Sequence, residues 1–86
     1  MEYKLDLYYY DFCPFCVRVL NTIKKLNIHV NYCNTMENSA HEKKLFQDTG
    51  RRTVPCLYIN GTPMHESRDI INWLEEHVDE LPQITT

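Results

Sequence analysis

The chain has 86 residues, of which 43% are hydrophobic and 24% charged, and its formal net charge is −3. This length suits a single domain over residues 1–86, and the composition is too apolar for a disordered chain. The acidic balance argues against a nucleic-acid binder, which would carry an excess of lysine and arginine on one face. The chain has no run of about 18 apolar residues, the length needed to span a membrane, and its first residues lack a signal-peptide pattern. We therefore expect a cytoplasmic protein that acts as a monomer.

The first third of the chain predicts a strand, a helix and a second strand. Residues 3–9 alternate between apolar and polar side chains, which is the two-residue period of a strand. Residues 14–26 carry apolar side chains at helical spacing, and Pro14 suits a first helical turn because its missing N–H costs nothing there. Residues 28–32 alternate again and predict the second strand. A helix between two strands is the crossover that a parallel pair requires.

The middle of the chain predicts a second helix followed by a hairpin. Ser39 opens a capping box, so we expect a helix over residues 39–49. Residues 54–59 read as a third strand. The dipeptide Asn60-Gly61 is the one that a type I′ hairpin turn prefers, and residues 62–64 would then form the returning strand at an edge of the sheet.

A last helix is predicted to begin with Ser67 as its N-cap. Its apolar side chains have helical spacing and form one stripe, Ile70, Ile71, Leu74 and Val78. The tail from Asp79 onward is expected to fray. The resulting order, β-α-β-α-β-β-α, resembles the thioredoxin-like α/β fold, which has a four-stranded mixed sheet flanked by three helices.

The motif Cys13-Pro14-Phe15-Cys16 lies where the first strand gives way to the first helix. A helix starting at Pro14 places Cys13 at its N-cap, where free N–H groups and the helix dipole favour a thiolate. Cys16 lies one turn later on the same face, close enough to attack a mixed disulfide on Cys13. We therefore predict a redox pair, with Cys13 as the nucleophile and Cys16 as the resolving thiol.

Other readings of the cysteine pair remain open. A structural zinc site would need four ligands, but the chain has no second Cys-x-x-Cys, and its other cysteines and its histidines are scattered. A purely structural disulfide across two residues would restrain the unfolded chain very little. Cys33 and Cys56 are expected to be buried and inert, as free cysteines usually are.

Three motifs together resemble the glutaredoxin pattern in register over nearly the whole chain. They are the Cys-Pro-Phe-Cys motif, Thr53-Val54-Pro55, and Ser67-Arg68-Asp69 at the start of the last helix. The resemblance implies a cis peptide bond before Pro55 and a backbone at Val54 that pairs with the cysteinyl part of glutathione. It also implies that the last helix binds the γ-glutamyl carboxylate at its N-terminus.

The chain departs from that pattern in two places. The basic residue that often stands three positions before the motif is replaced by Tyr10, and Asp11 beside it would oppose ionisation of Cys13. The usual Gly-Gly before the last helix is replaced by His65-Glu66, and Glu66-Ser67 resembles the glutathione-transferase N-terminal domain instead. Lys43, Arg51 or Arg52 could supply the missing positive charge. The predicted glutathione-binding residues are Tyr10, Phe15, Arg52, Thr53, Val54, Pro55, Glu66, Ser67, Arg68 and Asp69.

The resemblance implies a dithiol glutaredoxin, which is a glutathione-dependent thiol-disulfide oxidoreductase. Its partners would be glutathione and proteins that carry disulfides or glutathione mixed disulfides, and it would need no metal. Two alternatives stay open: a thioredoxin-like disulfide reductase recharged by a protein reductase, and a module that binds a metal or an iron-sulfur cluster. The proline inside the motif disfavours the cluster relative to the glycine-containing members of the family.

Overall fold

The computed structural model describes residues 3–84. The elements are β1 (Leu5–Tyr9), α1 (Pro14–Leu26), β2 (Asn31–Asn34), α2 (Ser39–Thr49), β3 (Cys56–Ile59), β4 (Thr62–His65), α3 (Ser67–His77) and a 3₁₀ turn (Val78–Glu80). The four strands form one mixed sheet in the order β2-β1-β3-β4. β1 runs parallel to β2, whereas the β1–β3 and β3–β4 pairs are antiparallel. The predicted thioredoxin-like fold is therefore confirmed.

The two faces of the sheet carry different cores. One face packs against α1 and α3 and is aliphatic; its fully or nearly fully buried side chains include Leu5, Leu7, Val19, Ile23, Leu57, Ile70 and Leu74. The other face packs a smaller cluster that contains aromatic rings and thiols, namely Tyr8, Cys33, Leu45, Cys56 and Tyr58. Side chains alternate between faces along each strand, so neighbouring residues of β1 contribute to different cores.

Helix α1 begins and ends where the sequence predicts. Pro14 occupies the first turn, and Asn27 ends the helix in the left-handed conformation with φ of 58°. The backbone N–H of Asn27 donates to the carbonyls of Ile23 and Lys24, which satisfies two acceptors at the helix end. The residues that determine both ends of α1 lie within the helix or directly beside it, which explains why the prediction is accurate.

The hairpin turn also agrees with its prediction. Asn60 and Gly61 both have positive φ, at 51° and 88°, as a type I′ turn requires. The side-chain oxygen of Asn60 accepts the backbone N–H of Lys4 at 2.7 Å, which ties the turn to the start of β1.

The bounds of all four strands and two helix caps differ from the predictions; β1 begins at Leu5 instead of residue 3, and β4 extends to His65 instead of residue 64. β2 covers Asn31–Asn34 instead of 28–32, because its parallel pairing with β1 begins with Asn31 opposite Asp6. The residues just before Asn31 lie next to the end of the described chain instead. β3 begins at Cys56 and not at residue 54, because its pairing with β1 and β4 begins at Cys56.

The N-caps of α2 and α3 each lie one residue before the predicted position. The side chain of Asn38 caps α2 by accepting the N–H of Ala40 at 2.9 Å, so Ser39 is already helical. Glu66 precedes α3, with φ of 73° and no side-chain capping bond, and Ser67 is the first helical residue.

The prediction that the tail frays is wrong for the described residues. Ile28 forms a β-bridge with Gln83, and the N–H of His29 donates to the carbonyl of Pro82 at 2.8 Å. Leu81 is buried in the aliphatic core. The segment after α3 is therefore attached to the chain just ahead of β2. No helix within residues 3–84 has the length and apolarity needed to cross a membrane.

Candidate functional site

Cys13 lies at the junction of β1 and α1, immediately before the helix. Its backbone is extended, with φ of −85° and ψ of 117°, and its carbonyl accepts the N–H of Val17 at 3.0 Å as the helix begins. The thiol donates to the carbonyl oxygen of Val54, with a sulfur-oxygen distance of 3.8 Å. The unpaired N–H groups of the first helical turn favour negative charge at this position.

Cys16 follows one turn later and is fully enclosed. Cys16 has 0% relative exposure and Cys13 has 6%, so the predicted order of shielding agrees with the geometry. Burial raises the pKa of the Cys16 thiol to about 12, because an enclosed thiolate loses its hydration. Cys16 therefore keeps its proton at neutral pH, and it can act on a partner sulfur only after Cys13 has bound that sulfur.

The loop before β3 shelters the Cys13 sulfur. The bond between Val54 and Pro55 is cis, as the resemblance implied, and Pro55 is buried. This loop places the Val54 carbonyl against the Cys13 sulfur. Cys13 is consequently less exposed than a nucleophile on an open surface, and a partner sulfur has to approach beside this loop.

A cleft of about 400 Å³ lies between the N-terminal ends of α1 and α3. Seven predicted site residues line it: Phe15, Thr53, Val54, Pro55, Glu66, Ser67 and Arg68. They come from the first turn of α1, the cis-proline loop and the start of α3, which are distant in sequence. The cleft is therefore the product of the fold and not of any one motif.

Three predicted residues lie outside the cleft lining. Arg52 forms an ion pair with Glu42 at 3.2 Å, and its guanidinium lies 4.5 Å from the centre of the Phe46 ring. Tyr10 contributes its carbonyl, which accepts the N–H of Cys13 at 3.4 Å. Asp69 is exposed in the first turn of α3. Arg52 therefore lies against α2 and outside the cleft lining, whereas its neighbour Arg51 lines the cleft.

Arg18, Arg51 and His65 complete the cleft. The predicted set of glutathione-binding residues omits all three, although Arg51 is one of the residues expected to supply the missing positive charge. The spacing of α1 could have revealed Arg18, which lies close to one helical turn after Phe15 on the same face. The choice between Arg51 and its neighbour depends on how the loop turns, and no sequence signal indicates it. His65 follows from β4, whose length exceeds the prediction by one residue.

The cleft is positively charged, with one acidic side chain at its α3 end. The ion pairs formed within residues 3–84 join Lys44 to Asp48 and Arg52 to Glu42, so the arginines of the cleft remain available to a ligand. The first N–H groups of α3 point toward the same end of the cleft and add positive potential. Glu66 stands there with φ of 73°, a conformation that usually favours glycine. The arrangement can hold a ligand with several carboxylates and an ammonium group.

His65 connects the cleft with a third cysteine. Its Nε2 lies 3.9 Å from the Sγ of Cys56, and its buried Nδ1 has no hydrogen-bond partner among the described residues. Burial, reinforced by the charge of Arg51, holds the pKa of His65 below its ordinary value of 6.5. His65 is therefore neutral at physiological pH, which suits its contact with an uncharged thiol.

Cys33 and Cys56 lie on strands on either side of β1, each opposite Tyr8. Burial raises the pKa of the Cys56 thiol to about 11 and also raises that of Cys33. Both thiols lie within strands, whereas Cys13 directly precedes a helix. Within residues 3–84, no group of three or more His, Cys, Asp or Glu side chains could hold a metal ion.

Comparisons with known proteins point to two related groups. Residues 7–82 match the family model of the glutathione S-transferase N-terminal domain. A probable glutaredoxin of Synechocystis sp. is 31% identical over 68 residues, which cover 78% of this chain and 77% of the relative. The structure of a wheat glutaredoxin superposes with a TM-score of 0.70 at 25% identity, covering 93% of this chain and 83% of the wheat chain. An epsilon-class glutathione S-transferase from the housefly Musca domestica superposes with a TM-score of 0.75 at 26% identity, covering 87% of this chain but only 35% of the housefly chain.

Proposed function

We propose that this chain, which belongs to the glutaredoxin family of thiol-disulfide oxidoreductases, uses glutathione as reductant. Its substrates would be protein disulfides and glutathione mixed disulfides. The observation that carries the proposal is the position of the Cys13 sulfur, at the start of α1 and against the carbonyl of Val54, which lines the cleft. This position places the sulfur at a helix N-terminus and beside a pocket for the molecule that carries the partner sulfur.

The chemistry of the cleft fits glutathione. Glutathione carries two carboxylates, at its glycyl and γ-glutamyl ends, and one ammonium group. Arg18, Arg51 and Arg68 supply guanidinium groups for the carboxylates, and the N-terminus of α3 supplies free N–H groups. Glu66 supplies a carboxylate for the ammonium group. The cleft therefore offers a partner of opposite charge for each ionised group of the ligand.

The reaction we propose begins with attack by the Cys13 thiolate on the glutathione sulfur of a mixed disulfide. A sulfur-sulfur bond forms between Cys13 and glutathione, the original disulfide bond breaks, and the substrate sulfur leaves as a thiolate that takes up a proton. The thiolate of a second glutathione then attacks the bound glutathione sulfur. Oxidised glutathione leaves and the Cys13 thiolate is restored.

Protein disulfides require the second thiol as well. Attack by Cys13 on such a disulfide links the enzyme to the substrate protein and releases one substrate thiolate. Cys16 then loses its proton and attacks the Cys13 sulfur, which releases the second substrate thiol and leaves a Cys13–Cys16 disulfide. Two glutathione molecules reduce that disulfide and become oxidised glutathione. The enclosure of Cys16 limits this step to sulfurs already bound to Cys13.

The neighbouring arginines provide a matched pair of variants for testing the proposal. Arg51→Ala should raise the KM for the mixed disulfide of cysteine and glutathione about tenfold, because one charge-assisted hydrogen bond to glutathione is lost. Arg52→Ala should change it less than about twofold, because Arg52 contacts Glu42 and Phe46 instead. The measurement is NADPH oxidation coupled through glutathione reductase. Turnover that requires thioredoxin reductase and not glutathione would refute the proposal.

A second candidate function is a glutathione-transferase reaction, which the family model and the Glu66-Ser67 pair favour. In that reaction bound glutathione would attack an electrophile, and no cysteine of the chain would change its bonding. Conjugation of glutathione to 1-chloro-2,4-dinitrobenzene measures it directly. We expect conjugation at the uncatalysed rate, whereas conjugation that survives Cys13→Ser would favour the transferase.

A further inference from the structure

A second cleft lies along α1 and includes Asp11 of the segment between β1 and α1. It has a volume of about 420 Å³ and is formed by α1, the edge strand β2 and the end of the described chain. We call it the Tyr9–Tyr32 groove; its lining consists of Tyr9, Asp11, Leu20, Asn21, Ile23, Lys24, Asn27, Tyr32 and Ile84. None of these residues lines the proposed glutathione cleft. The two clefts are therefore separate, and both include residues close to Cys13 in the chain, Phe15 in one and Asp11 in the other.

Part of the groove wall is apolar and partly open to solvent. The rings of Tyr9 and Tyr32 pack edge to face with 5.8 Å between their centres. Tyr32 remains 51% exposed and Ile84 44% exposed, although both are large apolar side chains. Leu20 contributes from α1. When an apolar side chain of a partner covers such a surface, apolar area is removed from water, which favours binding.

The groove has a carboxylate at one end and an ammonium group at the other. Asp11 stands two residues before Cys13, and Lys24 lies in the last turn of α1. The rise along the helix between Pro14 and Lys24 is about 15 Å, which equals the length of four or five extended peptide residues. A bound segment would therefore meet negative charge close to Cys13, an aromatic wall further along, and positive charge at the far end.

The fold holds Asp11 in place. The amide nitrogen of Asn34 donates to the Asp11 carboxylate at 3.4 Å, and the amide oxygen of Asn34 accepts the N–H groups of Met36 and Glu37. Asn34 is buried at the end of β2. Because one buried side chain joins the two loops at this end of the sheet, the carboxylate of Asp11 faces the groove in a fixed position.

We propose that the Tyr9–Tyr32 groove binds the polypeptide that flanks the substrate cysteine, and that it selects segments with a basic residue next to that cysteine and an aromatic or aliphatic residue two or three positions away. This inference rests on the proposed function and adds its substrate class. The glutathione half of a mixed disulfide occupies the cleft near α3, so the protein half must contact a different surface near Cys13. The groove includes Asp11, which lies two residues before Cys13 and whose carboxylate suits a basic residue.

The chemical step is unchanged by this binding. The Cys13 thiolate bonds to the glutathione sulfur, the disulfide bond to the peptide breaks, and the peptide sulfur leaves as a thiolate that takes up a proton. The groove contributes binding energy to the leaving peptide before the reaction. The variants should therefore change the KM for peptide substrates and leave kcat nearly unchanged.

Two substrates with the same reacting disulfide test the inference. One is the mixed disulfide of cysteine and glutathione, which has no flanking peptide. The other is the glutathionylated, end-blocked peptide Phe-Gly-Arg-Cys-Arg-Gly-Phe, which presents the same features in either chain direction. Replacing both arginines of this peptide by glutamate gives the matched control peptide. Turnover is measured in the glutathione reductase assay at low and at high salt.

For wild type we expect a kcat/KM about tenfold higher for the basic peptide than for the acidic one, and a smaller ratio at high salt. Tyr32→Ala should reduce kcat/KM for the basic peptide about fivefold through KM and should leave the small disulfide within about twofold. Phe46→Ala, which removes an exposed ring on α2, is the control and should affect neither substrate. These variants alter exposed side chains, so they are expected to fold.

The outcomes separate the two proposals. If the small disulfide is turned over but the two peptides react equally, the inference is wrong and the proposed function stands. If Tyr32→Ala slows both substrates by the same factor, the groove does not select peptides, and the inference is again overturned. If wild type turns over no glutathione mixed disulfide, the proposed function fails, and the inference that rests on it fails too.

Discussion

The two pairs of cysteines in this molecule have the same residue type and opposite surroundings. Cys13 and Cys16 belong to the junction between β1 and α1, whereas Cys33 and Cys56 belong to the strands on either side of β1. All four are buried free thiols. The junction adds a helix N-terminus, a cleft and a second sulfur one turn away. Exposure alone therefore does not identify the reactive sulfur in this fold, and the difference lies in what each sulfur is placed against.

The largest expected effect is the loss of activity in Cys13→Ser. A serine hydroxyl stays protonated at neutral pH, so turnover of glutathione mixed disulfides should fall roughly a thousandfold or more. Cys33→Ala and Cys56→Ala should retain turnover within about threefold, measured in the same assay after their folding has been checked by circular dichroism. A comparable loss of turnover in Cys56→Ala would show that Cys56 takes part in the chemistry, and the two cysteine pairs would then not differ in function.

The next effect separates the two members of the reactive pair. Cys16→Ser should keep reduction of glutathione mixed disulfides and lose reduction of intramolecular protein disulfides, because only the latter need a resolving thiol in the enzyme. Insulin reduction and the mixed-disulfide assay measure the two activities on one sample. Equal loss of both activities would contradict the roles assigned to Cys13 and Cys16.

The same substitution should change stability in opposite directions at the two sites. Cys13→Ser introduces a preferred N-cap residue where the thiol makes no capping bond, which should stabilise the fold by about 0.5–1 kcal/mol. Cys56→Ser buries a hydroxyl in the core against His65, which should cost about 1–3 kcal/mol. Urea unfolding of the reduced proteins measures both differences. If both substitutions changed the unfolding free energy in the same direction, the surroundings of Cys13 and Cys56 would differ less than their geometry indicates.

The smallest effect is a pH dependence that comes from His65. Burial lowers the pKa of His65 in the folded state, so below pH 6.5 the unfolded chain takes up a proton that the folded chain resists. Its contribution to stability is complete above pH 6.5 and is lost as the pH falls toward the lowered value. His65→Gln should reduce the slope of unfolding free energy against pH below about pH 6.5. An unchanged slope would place the titrating group elsewhere.

Sequence signals predicted those parts of the molecule whose causes lie close together in the chain. Pro14 and the apolar spacing after it define α1, and Asn60-Gly61 defines the hairpin turn. The boundaries of β2 were predicted less well, because they depend on pairing with β1 and on the segment around Gln83 that occupies Ile28. The tail was wrongly expected to fray for the same reason.

The candidate site divides in the same way. The sequence by itself determined the cysteine pair at a helix start, and it marked the proline loop and the start of α3 through their resemblance to glutaredoxin motifs, because each of the three is a short local pattern. Only the tertiary structure decided that Arg51 and not Arg52 faces the cleft, and that Val54 covers the Cys13 sulfur. Direction in a loop and enclosure of a side chain depend on contacts between residues far apart in sequence, and no local pattern encodes them.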